Sequence, residues 1–116
     1  MKKSNKELSV IQENHVADVL EGRRTKASGG AKHDPGDVVS VYYLTECKVT
    51  RNGSISVSKY TWDKIRNETH SGRDPLMALR FVDENDKSTH DLFVIDKNDL
   101  VELLEESFYY RNECAC

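Results

Sequence analysis

At 116 residues and 13.3 kDa the chain has the length of one small domain, taken as 1–116 with a core over about 5–110 and a tail at 111–116. Its composition, 37% apolar and 32% charged with a mean hydropathy of -0.68, excludes a membrane span: the longest uncharged, apolar-leaning run, 38–45, is far below the roughly 20 residues a spanning helix requires. The net charge of -3 hides a split. Up to residue 82 there are 14 Lys and Arg against 10 Asp and Glu, and after it 3 against 10, so an anionic ligand is expected on the upstream part.

The basic start, Met1-Lys2-Lys3-Ser4-Asn5-Lys6, has no apolar stretch behind it, which argues against a secretory signal and for an intracellular protein. Cys114 and Cys116, separated by Ala115, are poorly spaced for a disulfide, and Cys47 leaves an odd total, so reduced thiols are expected.

Over residues 4–20, Leu8, Ile11, Val16, Ala17 and Leu20 recur at helical spacing and define one apolar face. Ser4 and Glu7 form a capping-box pattern, and Gly22 offers the stop. A basic loop with glycines fills 23–36. Residues 37–50 are dense in β-branched and aromatic side chains and read as a hairpin reversing near 40–42. After the Asn52-Gly53 turn, Ile55 and Val57 suggest a short strand extension. Ser58 caps a second helix to about residue 70, with Tyr60, Trp62, Ile65 and Thr69 available for packing and Gly72 and Pro75 as terminators. Residues 76–82 read as a buried strand, 83–87 as a solvated turn and 90–95 as its antiparallel partner. Residues 96–108 close the chain as a helix that turns Leu100, Val101, Leu103, Leu104 and Phe108 inward. The order α-β-β-α-β-β-α predicts an α/β domain, a central mixed β-sheet flanked by helices.

The chemistry concentrates at Asp37 and, nine residues on, Glu46-Cys47-Lys48. Alternation along a strand sends Glu46 and Lys48 to one face and Cys47 to the other, and the hairpin returns Asp37 to their side. Two carboxylates on one rim repel each other unless a hard divalent cation with oxygen ligands neutralises them. Magnesium held by Asp37, Glu46 and the Cys47 backbone carbonyl would suit phosphodiester hydrolysis, with Lys48 orienting water or stabilising developing negative charge. Glu13 is the first helix's contribution, because Val16, Ala17 and Leu20 would seat that part of the helix on the sheet. Its rivals, Glu7 and Glu21, are better placed as a cap partner and a helix-end charge.

These residues resemble the PD-(D/E)xK nuclease superfamily, and within it the small Holliday junction resolvases of archaea and phages, including phage endonuclease I. The likeness spans about residues 10–105: Val16-Ala17 to Leu20, Gly22-Arg23-Arg24, Ser28-Gly29, Gly36-Asp37, Glu46-Cys47-Lys48 with Thr50, and Gly72-Arg73 with Pro75 before an apolar strand. It implies a restriction-endonuclease-like fold and magnesium, with manganese as a substitute. It makes Asp37 and Glu46 metal ligands, Lys48 the catalytic lysine, Glu13 the helix carboxylate and Ser28 a DNA contact. The sequence departs from the motif at Gly36, where the superfamily has proline, which leaves Asp34 as an alternative to Asp37. Asp37 is preferred because it abuts the strand.

The activity expected is a structure-selective DNA endonuclease of Holliday junction resolvase type, leaving 5′ phosphate and 3′ hydroxyl ends and acting on branched or duplex DNA as a homodimer. The alternatives are a general nicking or restriction-like nuclease and a catalytically inactive DNA-binding module. Arg23, Arg24, Lys26 and Lys32 supply phosphate contacts near the cleavage site. Gly29, His33, Thr50 and Arg73 are the remaining candidates for DNA contact. Lys59, Lys64 and Arg66 are further cations on the second helix. No His-Glu-x-x-His pair or P-loop is present, so zinc protease and nucleotide-binding readings lack support.

Overall fold

The computed structural model describes residues 2–25, 36–70 and 72–114. Among the described residues eight elements follow in order: α1 (Asn5–Leu20), β1 (Arg23–Arg24), β2 (Val38–Val39), β3 (Tyr43–Thr50), α2 (Lys59–Glu68), β4 (Asp74–Val82), β5 (Ser88–Ile95) and α3 (Lys97–Cys114). The five strands form one mixed sheet in the order β1-β2-β3-β4-β5, parallel between β3 and β4 and antiparallel elsewhere. The expected α/β domain with a mixed sheet and three helices is what the chain forms. The two-residue strand β1 is additional: Arg23 and Arg24, expected in a loop, pair with Val39 and Val38.

Local chemistry accounts for the ends of α1. Ser4 Oγ accepts from the Glu7 N–H at 3.1 Å while Glu7 Oε1 accepts from the Ser4 N–H at 3.2 Å, completing the capping box. The left-handed residue that closes the helix is Glu21, at φ 54°, and not Gly22 as expected. Gly22 is needed for another reason: a Cβ there would lie 2.3 Å from the Val39 carbonyl oxygen, so only glycine lets the helix exit pass this close to β2.

Below α1 the core gathers Val16, Ala17, Val38 and Ala78, with Leu20 and Cys47 packed against it. Glu46, on the opposite face of β3, is near Lys64 and Glu68 of α2, so α1 and α2 cover opposite faces of the sheet. This double cover explains the unbroken buried run Pro75–Arg80 in β4, whose Met77 is fully buried. Arg80 is buried by a two-pronged pair with Asp91, directly opposite on β5, at 2.7 and 3.3 Å.

Several expectations change. Residues 54–58 form no strand, so the extension through Ile55 and Val57 is absent. Pro75 does not end α2; it sits in β4, which starts at Asp74. Tyr60 is exposed rather than packed, and α2 buries Ile65 alone. The inward face expected for the last helix is not inward: Leu100, Val101, Leu103, Leu104 and Phe108 are all exposed, and α3 runs on to Cys114. Heptad-like spacing shows that a helix has an apolar side, but it does not say what covers that side.

Candidate functional site

The site is built where β2 stops and β3 continues. Val38 pairs with Thr45, and the residue before it, Asp37, donates its backbone N–H to the Thr45 carbonyl at 2.9 Å. Two residues further along β3 no strand partner remains on that edge, and Asp37 Oδ2 accepts the Cys47 N–H at 2.8 Å. The carboxylate stands in for a missing ladder residue. In a strand the N–H and C=O of one residue leave by the same edge, so the Cys47 carbonyl belongs to the same side as Asp37.

Asp37 is held from its other side too. The Thr25 N–H donates to the Asp37 carbonyl at 2.9 Å and Thr25 Oγ1 to the Gly36 carbonyl at 2.8 Å. The Gly36 N–H donates to Glu68 Oε2 of α2 at 3.1 Å. Gly36 has φ +65°, a left-handed conformation, and a Cβ there would come within 2.9 Å of the Leu44 side chain. Proline, locked near φ -65°, does not fit this turn, which gives a physical reason for glycine at the position where the motif has proline.

Glu46 and Lys48 project from one face as alternation requires, with Lys48 Nζ 3.9 Å from Glu46 Oε1. Burial first and the Asp37 charge second push the Glu46 carboxyl up to about 7, against the opposing pull of Lys48 and Lys64. Cys47 points to the other face, and burial together with Asp37, Glu13 and Glu46 raises its thiol, which stays protonated.

Glu13 lies on the α1 side and accepts from Arg24 Nε at 3.0 Å. Its carboxyl is raised by burial and by Asp37, against the Arg24 bond. Glu13, Arg24, Thr25 and Asp37 line a pocket of about 170 Å³ together with Lys6 and Ser9. Asp37 is thus the hinge of the arrangement, felt by Glu46 on one face and by Glu13 on the other. Among the described residues, no three His, Cys, Asp or Glu side chains converge as a metal cage. The pair Asp37 and Glu46 with a main-chain oxygen is a hard-oxygen set that fits magnesium in kind, and a cation there would favour the charged Glu46 that burial and, second, the Asp37 charge oppose.

The other candidates are distributed unevenly. Arg24 is engaged with Glu13, and Arg23 is exposed on β1 beside it. Thr50 Oγ1 accepts the Asn52 N–H at 3.0 Å, a turn-forming bond at the far end of β3. Arg73 lies at the opposite end of the sheet, where its Nε donates to the Ser40 carbonyl at 2.6 Å. Lys26, Ser28, Gly29, Lys32 and His33, with the alternative ligand Asp34, lie outside the described residues.

Several residues of the site escaped the sequence reading, Ser9 and Thr25 of the pocket among them. Lys6 reaches the pocket from one α1 face with Glu13, seven residues on, a spacing that was available. Glu68 holds Gly36 from α2, which no local pattern signals. Gln12, 1% exposed, donates through Nε2 to the Lys48 carbonyl at 2.9 Å and the Ala78 carbonyl at 3.1 Å, clamping α1 across β3 and β4. Its Oε1 is buried without a partner. No protein-family model, no curated protein and no solved structure matches this chain. Among the described residues no helix is long and apolar enough to cross a membrane.

Proposed function

We propose that the chain is a magnesium-dependent, structure-selective DNA endonuclease with a restriction-endonuclease-like core, acting on four-way junctions as a Holliday junction resolvase. The observation that carries the reading is the bond from the Cys47 N–H to Asp37 Oδ2 on the edge where β2 has ended, which ties Asp37 to the residue between Glu46 and Lys48. That bond brings Asp37, nine positions upstream of Glu46, to the strand that carries Glu46 and Lys48, and a divalent cation there would favour the charged Glu46 that burial and, second, the Asp37 charge oppose.

Asp37, Glu46 and the Cys47 carbonyl would hold the ion, which supplies Lewis-acid polarisation of the phosphate and a more acidic bound water. Lys48, tethered loosely to Glu46, stabilises negative charge developing on the phosphate. Glu13, fixed by Arg24, contributes a further carboxylate on the other side of Asp37. The excess of cations before residue 82 supplies the attraction for phosphates. A junction presents two symmetric strands, so two sites in a homodimer match the substrate.

The test is cleavage of four-way junction, flap and plain duplex DNA in magnesium, wild type beside Glu46→Ala. Junction cleavage that vanishes in the variant supports the reading. Equal cleavage of plain duplex reassigns the chain to a general nuclease, and inactivity of both proteins reassigns it to a DNA-binding module.

A further inference from the structure

Among the described residues, no other element covers the last helix beyond its first turn. Residues 100–109 are exposed without exception, although a helix in a protein draws most of its stability from packing an apolar face. Val101, Leu104 and Phe108 recur at steps of three and four and line one groove of about 570 Å³ with Glu105 and Tyr109. Leu104, Phe108 and Tyr109 are 60%, 68% and 61% exposed.

A second exposed apolar pair lies at the same end of the sheet. Val41 and Tyr42, in the turn between β2 and β3, are 70% and 69% exposed, and the Tyr42 carbonyl accepts from the Asp74 N–H at the start of β4. Asn98 and Asp99, in the first turn of α3, line one cavity with Arg73 and Asp74, so the foot of α3 stands beside this turn.

We infer that α3 and the turn carrying Val41 and Tyr42 form the interface of a homodimer, with α3 packed antiparallel against α3 of a second copy. At roughly 150–250 Å² per aromatic side chain, the exposed 69%, 68% and 61% of Tyr42, Phe108 and Tyr109 supply about 300–500 Å², and Val41, Val101 and Leu104 enlarge the patch toward the roughly 800 Å² each partner contributes to an ordinary stable interface. The surface is suited to itself: side chains spaced three and four apart face a groove of the same spacing, and antiparallel packing sets opposite ends of the helix dipoles together. Lys48 is five residues along β3 from Tyr43, roughly 16 Å at strand rise, so the interface leaves both candidate sites open. The inference names the surface behind the dimer of the nuclease reading, but it rests on α3 alone, and cleavage and mass are measured separately.

Light scattering of the full chain at about 100 µM should give twice the 13.3 kDa mass. Leu104→Gln with Phe108→Gln should weaken association at least about 100-fold, because two central apolar anchors are lost. Tyr60→Gln, at an exposed position of α2, should leave it unchanged. Added salt should tighten the dimer by screening the acidic residues of the two helices, whereas a basic partner of another kind would be released. Backbone exchange in α3 should accelerate on dilution of the wild-type protein, a readout that holds even if the double variant misfolds. A monomer at this concentration, association unaffected by the double variant, or α3 protection independent of dilution would each overturn the inference.

Discussion

Asp37 Oδ2 and the Cys47 N–H, 2.8 Å apart, close a hydrogen-bond ladder that β2 leaves unfinished. The same carboxylate therefore has a structural bond to keep and a charge to offer. Substitutions separate the two. Asp37→Asn retains an acceptor for Cys47 and removes a charge that opposes Glu46 and Glu13, so thermal melting should show a fold at least as stable as wild type. Cleavage should fall by more than about 100-fold if the proposed metal site loses this carboxylate. Asp37→Ala should lose the activity and also about 1–3 kcal/mol of stability, the cost of an unsatisfied N–H.

The raised Glu46 carboxyl makes the metal-free protein sensitive to pH. Its folded value of about 7 lies above the ordinary carboxylate value of 4.5, so its favourable contribution is present below about 4.5 and is lost as pH rises through about 7. The loss amounts to at most about 3 kcal/mol. Glu46→Gln should melt higher than wild type at pH 8 and alike at pH 4. Magnesium should restore wild type at pH 8 and leave the variant unaffected. A variant that melts lower at pH 8 would show that Lys48 and Lys64 outweigh burial and Asp37.

Lys48 and the cations upstream should separate in kinetics. Lys48→Ala should slow junction cleavage on the order of 100-fold with binding little changed, as expected for a group acting in the transition state. Neutralising Arg24 with Lys26 should chiefly weaken binding and flatten its salt dependence. Because Arg24 also fixes Glu13 at 3.0 Å, that variant should show a smaller additional fall in rate. Filter-binding and single-turnover assays on one preparation check both halves.

Gln12 offers a test of the clamp between α1 and the sheet. Gln12→Met fills the space but leaves the Lys48 and Ala78 carbonyls without its donors, at about 1–3 kcal/mol for a buried group. Gln12→Glu should cost more, since it sets acceptor oxygens against two carbonyls. Urea denaturation of the two variants should rank them in that order.

The legible parts of this chain were those governed by local rules. The Ser4–Glu7 box, the hairpin through 40–42, the Ser58 cap and the β4–β5 pair each follow from neighbours in sequence, and all are formed. The proposed Asp37, Glu46 and Lys48 grouping was legible because alternation and hairpin geometry bring them to one edge. Long-range polar contacts were not. Nothing local distinguishes Gln12, a polar residue beside an apolar stripe, from a surface glutamine, and the bond from Arg24 to Glu13 depends on how β1 folds back beside α1. The direction faced by α3 was misread because amphipathic spacing is the same whether a helix covers its own sheet or awaits another surface.

The 2.3 Å approach measured at Gly22 also bears on how this domain can vary. Even alanine would have to pry the end of α1 away from Val39 and so tilt the segment carrying Glu13 relative to β2. Position 22 thus sets the spacing between the two walls that enclose Asp37, and a saturation library at this codon selected for a folded, metal-responsive protein should return glycine alone.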